Sequence, residues 1–412
     1  MTSDDLTIAR QHVSEERTRE RPLPQASWPS VASSKGQTRQ NIASQLSNLK
    51  HISRDLNISE GIKIENHVGF TQVPLGLAGP LTINGTYQKR KQIYGPLATV
   101  EPTLVAACSR GCKLFSTCGG ISTSALTEGL SRAPVFVFSS IAAAVDFYRT
   151  VPSLLEGFKT KAQKTSRHAV LNSLTPSLVG SCVHIKFTYS CGDAAGQNMV
   201  TLATHAACSD FLSSSSRPAG LTDFQLEGNI SSDKKLSWGS VHEPRGVSVV
   251  AWGTITTDAS QKILGCSTQR LKAVLARFEE GGIRNGNLGQ CLNTSNIVAA
   301  IFIACGQDAG SVLESGWSQL TAELDAETGD LILSVYFPSL LVGTVGGGTG
   351  YATQKEALEL IGCYGGGKKW AFAETVAALA LSLEVSTLAA MANDTFAASH
   401  KTLARDDKTS KL

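Results

Sequence analysis

Apolar residues recur at helical spacing after Glu101. Leu104, Cys108, Cys112 and Phe115 fall on one face, which predicts a helix with Pro102 in its first turn, where a missing N–H costs nothing. Glu101 would stand at the N-terminal edge of that helix, where the helix dipole opposes protonation of a carboxylate. Between Pro134 and Glu227 the pattern changes. Val135–Phe138 reads as a strand and Ile141–Tyr148 as a helix opened by Ser139 or Ser140. His168–Leu174 and Val183–Cys191 read as strands, Gln197–Leu212 as a helix and Leu221–Leu226 as a last strand. The order β-α-β-β-α-β is the ferredoxin-like split arrangement. Gly192–Asn198 opens its second helix. Glycine there lets a backbone approach a phosphate, and a helix start supplies N–H donors; the same residues also read as a plain Gly/Asp turn. From Gly228 onward, glycine-rich turns alternate with helices of small residues, which suits a tightly packed central helix and a subunit interface. The longest apolar stretch, Ala371–Ala392, carries Glu374 and Glu384 and makes no convincing membrane span. The first 60 or so residues are polar and predict a flexible arm followed by a helix near Gln37–Leu49.

Composition adds size and excludes some classes. A chain of 412 residues is long enough for two or three domains, and 42% hydrophobic with 17% charged is an ordinary globular balance. A net charge of +3, with basic residues scattered and not interleaved with aromatics, gives no case for a nucleic-acid partner. The ten cysteines lack C-x-x-C pairs or zinc spacing, and Cys108, Cys112 and Cys305 sit in apolar helical contexts. They read as reduced packing residues of an intracellular protein, with no metal site. The N-terminus lacks a basic-then-apolar signal. The chain finishes Ser410-Lys411-Leu412, which reads as a peroxisomal address, although a Lys-rich solvated tail could also end so.

Four separated ionisable residues carry the candidate chemistry: Glu101 within Leu97–Ala106, Lys234 beside Lys235, Asp308 closing Ala304–Asp308, and His400 after Ser399. A carboxylic acid, an ammonium, a second carboxylate and an imidazole suit reduction of a thioester. That reaction needs a clamp on the developing oxyanion and protons for the carbonyl oxygen and the departing thiolate. With their contexts these residues resemble the catalytic set of the hydroxymethylglutaryl-coenzyme A (HMG-CoA) reductase family, in its eukaryotic-type class. Glu65–Gly69 with Val73–Leu81, Asn296–Asp308 and Gly343–Thr349 resemble three long blocks of the family in the same order.

The resemblance runs from about Glu65 to His400 and implies an α+β fold, a large helix-rich domain around a central helix with an inserted ferredoxin-like small domain. It divides the chain into an arm (1–60), the first part of the large domain (61–133), a small NADP-binding domain (134–226), the second part of the large domain with the catalytic loop (227–400) and a tail (401–412). It implies reduction of HMG-CoA to mevalonate and free coenzyme A with two NADPH, for isoprenoid or terpenoid synthesis. Lys234 would hold the carbonyl oxygen, Glu101 would supply its proton, Asp308 would link the two, and His400 would protonate the thiolate from a closing flap. Arg132, Asp233, Lys235, Asn296, Glu65 and Asn66 would bind substrate, the cations taking its free carboxylate. Asp193, Gly196, Asn198, Gly346, Gly347 and Gly348 would bind NADPH. A homodimer or homotetramer with active sites between subunits is implied. The membrane-anchoring region of eukaryotic relatives is not expected.

The pattern also departs from the family close to the chemistry. Glu227 stands where serine is usual, Asn293 and Thr395 where histidines are, Leu236-Ser-Trp238 where Pro-Ala-Ala is, Ala195 and Gln197 where methionines are, and Pro102 where glycine is. Arg405-Asp406 replaces a phosphorylatable serine. An ionised Glu227 pointing inward would repel a substrate carboxylate unless Arg132 or Lys235 neutralised it. Beside a working, divergent reductase stand two other readings: a non-catalytic binding partner on the same scaffold, and a reductase of another acyl-CoA.

Overall fold

A computed structural model gives the fold and describes Ile64, residues 69–89 and residues 91–396. The expected N-terminal arm and helix, Glu65, Asn66, His400 and the last three residues lie outside the described residues. The elements below all fall in the compact unit that begins at Val73.

Strands β1 (Leu75–Gly85) and β2 (Lys91–Ala98) precede helix α1 (Leu104–Thr117) and the long strand β3 (Ile121–Arg132). Next come β4 (Val135–Phe138), α2 (Ile141–Thr150), α3 (Leu155–Gln163), β5 (Val170–Val179), β6 (Cys182–Ser190), α4 (Gln197–Ser213) and β7 (Leu221–Gln225). The rest is β8 (Gly246–Ile255), α5 (Thr268–Asn285), α6 (Thr294–Ala304), β9 (Gln319–Leu324), β10 (Leu331–Leu340), α7 (Ala352–Leu360) and α8 (Lys369–Ala392). The strands run in the order β7-β4-β6-β3-β8-β10-β9, with β5 on β6 and β1 joining β2 to β3. Every pairing is antiparallel except β1 with β3.

Two hydrophobic cores lie along this sheet. One surrounds α8, whose side chains are buried on all faces, as an evenly apolar helix requires. By length and composition α8 could cross a membrane, but 94% of its most apolar window is buried inside the protein. Its two carboxylates act as internal anchors. Glu374 accepts hydrogen bonds from the backbone N–H groups of Thr86, Tyr87, Gln88 and Ala125. Glu384 accepts from Leu292 at 2.7 Å and Asn293 at 2.5 Å, at the start of α6. Burial pushes the Glu384 carboxyl up to about 7, with those two N–H bonds pulling the other way. Helix α1 packs on α8 through Gly111, where any Cβ would collide with the Ser382 carbonyl.

The second core is aromatic. Phe136, Phe138, Phe147, Phe158, Phe187 and Tyr189 are buried together between the β4–β7 strands and helices α2, α3 and α4. Strand β3 bridges the cores: Ser122–Gly129 pair with β8, while Leu130–Arg132 pair with β6. Arg132 therefore ends the strand that passes from one core to the other.

The predicted spacing holds in α1, where Leu104, Cys108, Cys112 and Phe115 are buried. Its start differs. Thr103 caps the helix with φ 79°, a left-handed backbone that ends the preceding turn, so Pro102 lies before the helix rather than in its first turn. Ser140, not Ser139, caps α2, its Oγ accepting from Ala143 N at 3.2 Å. Strand β5 continues past the expected end at Leu174 and through Pro176. It pairs only with β6, and an edge strand tolerates proline because the lost N–H faces away from the ladder. Helix α3 was not expected; it buries only Phe158 and Ala162, too few apolar positions to stand out in a charged segment.

Candidate active site

The loop Gly228–Lys235 holds three non-glycine residues in the left-handed region, Asn229, Ser232 and Lys234, with φ of 68°, 62° and 55°. Such backbone persists only where its surroundings over-determine it. Here the surroundings are charged. Asp233 lies between two arginines, 2.8 Å from Arg132 Nη1 and 2.5 Å from Arg245 Nη2. Burial opposes its ionisation, but Arg245 and then Arg132 outweigh burial and hold its carboxyl below the ordinary value. Lys234 Nζ is 3.0 Å from Asp308 Oδ2, and Lys234 N donates to Glu314. Asp308 also accepts from Gly310 N at 3.0 Å and Ser311 Oγ at 3.2 Å. Despite partial burial, Lys234 and these donors keep its carboxyl below the usual range. Glu314 is buried, and that burial pushes its carboxyl up to about 7 while Arg245 pulls it down. Half-exposed, Lys234 carries a cation fixed by an ionised partner yet open to a ligand.

Glu227 is tethered rather than free. Its Oε2 lies 3.3 Å from Arg132 Nη1 and accepts from Ala133 N, while Oε1 accepts from Asn229 N at 2.7 Å. Lys235 is exposed, its Nζ donating to the Asp233 carbonyl.

Glu101 stands apart from this cluster. Asn296 Nδ2 donates to its Oε2 at 2.7 Å, from the first turn of α6. A cavity of about 400 Å³ opens beside the pair, lined also by Arg110, Phe278, Asn293, Ser386 and Phe396. Arg132, Lys234 and Asp308 do not line it. Asn296 and Ala304 are eight positions apart on α6, roughly 12 Å of helix, and Asp308 follows that far end in the chain. The expected link from Asp308 to Lys234 is formed within one chain, while the cavity that Glu101 lines includes neither of them.

The glycine-rich segments converge. Asp193 accepts from the N–H groups of Gly367, Lys368 and Lys369, capping the start of α8, and its carbonyl accepts from Thr344 N at 2.8 Å. Gln307 exchanges two hydrogen bonds with Gly343. Gly196 opens α4 with φ 88°, and a Cβ there would strike Cys191. Gly346 and Gly347 are exposed at φ 75° and 56°, with open space where a Cβ would stand, whereas Gly348 packs on Gly306. Asn198 is exposed on the first turn of α4. Gln197 Nε2 donates to Ser311 Oγ at 2.8 Å, tying this cluster to the Asp308 turn.

Arg245, Glu314 and Glu384 were not among the residues the sequence singled out for chemistry. Lone carboxylates in an apolar run were a usable signal for Glu384, whereas Arg245 and Glu314 sit in short polar segments with none.

The family model described as hydroxymethylglutaryl-coenzyme A reductase matches residues 32–405. A Methanocaldococcus jannaschii protein named 3-hydroxy-3-methylglutaryl-coenzyme A reductase is 37% identical over 364 residues, covering 86% of this chain and 89% of that one. A protein of the same name from Pyrococcus abyssi is 38% identical over 370 residues, covering 87% and 89%. The 3-hydroxy-3-methylglutaryl-coenzyme A reductase 2 of Gossypium hirsutum is 36% identical over 84% of this chain and 55% of its own. Among solved structures, a class II 3-hydroxy-3-methylglutaryl-CoA reductase from Streptococcus pneumoniae, bound to NADPH in open conformations, aligns with TM-score 0.65 at 17% identity. It covers 89% of this chain and 100% of that one, a likeness of fold.

Proposed function

Because the chain belongs to the hydroxymethylglutaryl-coenzyme A reductase family, we propose that it reduces HMG-CoA to mevalonate and free coenzyme A, consuming two NADPH. The observation that carries this reading is the Lys234–Asp308 pair on a loop braced by buried charges. A thioester carbonyl takes up four electrons on the way to an alcohol, and its oxygen becomes anionic at each hydride addition. Bound NADPH supplies the hydride at each of the two reductions. Lys234 holds the oxygen as charge develops, a contact worth about 2.7–4 kcal/mol of barrier. Asp308 keeps that ammonium aimed. Glu101 delivers the proton, and Asn296 orients its carboxyl. His400 protonates the departing thiolate. Arg132 and Lys235 receive the free carboxylate, and Glu65 and Asn66 contact coenzyme A.

The glycine cluster suits a dinucleotide. Gly346 and Gly347 leave the space a phosphate needs, and the start of the 17-residue α4 at Gly196 and Asn198 offers N–H donors. Asp193 contributes by holding the cluster to α8. Residues 134–226 form the small NADPH-binding domain, inserted between the two parts of the large one. The antiparallel order β7-β4-β6-β5 and the separate aromatic core support a ferredoxin-like arrangement. The separation of Glu101 from Lys234 supports a homo-oligomer whose active site takes Glu101 from one subunit and Lys234 from its partner. The intact lysine pair argues against a non-catalytic scaffold. The terminal Ser410-Lys411-Leu412 supports a peroxisomal address, tested by the location of a fluorescent fusion ending with and without it.

The function is tested by supplying purified protein with HMG-CoA and NADPH and following nicotinamide oxidation together with mevalonate formation.

A further inference from the structure

Asp308 and Glu314 belong to one short segment, a turn of 3₁₀ helix at Ala309–Ser311 followed by the single helical turn Val312–Ser315. That segment grips Lys234 at both ends. Asp308 Oδ2 holds the ammonium at 3.0 Å, and Glu314 Oε2 accepts the backbone N–H. Between them the lysine stem lies over Gly310, where an added Cβ would stand 3.0 Å from Lys234 Cδ. Glu314 is an expensive choice for this task, since its side chain is fully buried. Its compensation is Arg245, equally buried, with Nε 3.5 Å from Glu314 Oε1 and Nη2 on Asp233. One arginine thus joins the residue before Lys234 to the carboxylate that holds Lys234 itself. Arg245 leads directly into β8, and its own N–H donates to Ser339 Oγ on β10 at 2.9 Å. The central sheet therefore supports the pair.

We propose that Glu314, neutralised by Arg245, is the positioning residue that sets the backbone of the catalytic lysine. This rests on the reading of Lys234 as the oxyanion clamp. Without the Glu314 acceptor, the Lys234 N–H loses its partner, only the Lys235 N–H to Ser232 carbonyl bond still closes the turn, and the left-handed Lys234 backbone relaxes. Asp308 alone then tethers a long, rotatable side chain, and the ammonium leaves the position of the oxyanion. A displacement near 1 Å costs about 10²-fold in rate. Nothing in this places Glu314 in contact with substrate, so binding constants are not expected to follow.

The test uses the full chain in its native oligomer as wild type, Glu314→Ala and Glu314→Gln. Glutamine keeps a carbonyl acceptor for Lys234 N; alanine removes it. The expected result is a kcat about 10²-fold lower for Glu314→Ala, with KM for NADPH unchanged, and a kcat within about fivefold of wild type for Glu314→Gln. Equal loss in both variants, or a loss confined to KM, overturns the proposal. A second measurement needs no turnover. Competitive amine labelling read by peptide mass spectrometry compares Lys234 with exposed Lys272. Glu314→Ala should raise labelling of Lys234 several-fold, with Lys272 unchanged and Glu314→Gln close to wild type. Unchanged labelling at Lys234, or a rise at every lysine, overturns the positioning role. A wild type that labels and responds as expected but does not reduce HMG-CoA overturns the reductase reading instead.

Discussion

Arg132 Nη1 faces two carboxylates at once, Glu227 Oε2 at 3.3 Å and Asp233 Oδ2 at 2.8 Å. A substrate carboxylate approaching this arginine must compete with Glu227, which is held in place by the N–H groups of Ala133 and Asn229. Glu227→Ser should therefore lower KM for HMG-CoA about tenfold, equivalent to 1.4 kcal/mol, with kcat within about threefold. Steady-state kinetics on the two proteins checks it, and an unchanged or raised KM would show that Arg132 does not receive the carboxylate. The same substitution frees two backbone donors and should cost about 1 kcal/mol of stability.

Within one chain, Glu101 lines a cavity to which neither Lys234 nor Asp308 contributes. If two subunits complete each site, Glu101→Gln and Lys234→Ala should each be nearly inactive, yet complement. Equal mixing of the two variants under conditions that exchange subunits should restore about a quarter of wild-type activity in a two-fold symmetric dimer, because half the dimers are mixed and each contains one intact site. Mixtures no more active than their components would place both residues in the same subunit's site.

Glu384 makes stability depend on pH. Its carboxyl is held up to about 7 in the folded protein by burial, against an ordinary 4.5. Below the ordinary value both states are protonated and nothing changes. Between the two values the folded state keeps a proton the unfolded state has lost, so stability declines as pH rises, by about 3 kcal/mol in all. Glu314 contributes in the same direction over the same window. The melting temperature of wild type should fall from pH 5 to pH 8, and Glu384→Gln should flatten that fall by about half. A variant with the wild-type slope would mean that Glu384 is ionised throughout.

Gly343 lies where the 343–349 segment crosses the loop before α4, and an added Cβ would stand 2.5 Å from Ala195 N. Gly343→Ala should push the two segments apart at a cost of about 1–3 kcal/mol. The expected consequence is a rise of about tenfold in KM for NADPH with KM for HMG-CoA unchanged. An equal effect on both substrates would detach these loops from the nucleotide site.

The local features of this protein were legible in its sequence. The face of α1, the apolar stretch that becomes α8, and the strands and helices from Val135 to Gln225 other than α3 follow from periodicity, which depends on neighbours a few residues apart. The residue types of the candidate site were legible from their contexts. What they touch was not. Asp193 caps a helix 174 to 176 residues later in the chain, and Glu384 caps one whose preceding residue, Asn293, lies 91 residues earlier. Glu227 is a carboxylate whose effect reverses with its partner, and only the fold places it on Arg132. Arg245 and Glu314 carry no local pattern, because a buried ion pair is defined by two segments meeting. The continuation of β5 through Pro176 depended on its being an edge strand, again a property of the sheet.

HMG-CoA reduction by this protein is tested most directly by the stoichiometry of the reaction. Purified protein is given HMG-CoA with NADPH, and nicotinamide oxidised, mevalonate formed and thiol released are measured in the same tubes for wild type and Lys234→Ala. Two NADPH oxidised and one thiol released per mevalonate are expected, with the rate lowered about 10²–10³-fold in the variant. No mevalonate from a correctly assembled wild type, or an equal rate in Lys234→Ala, would contradict this expectation.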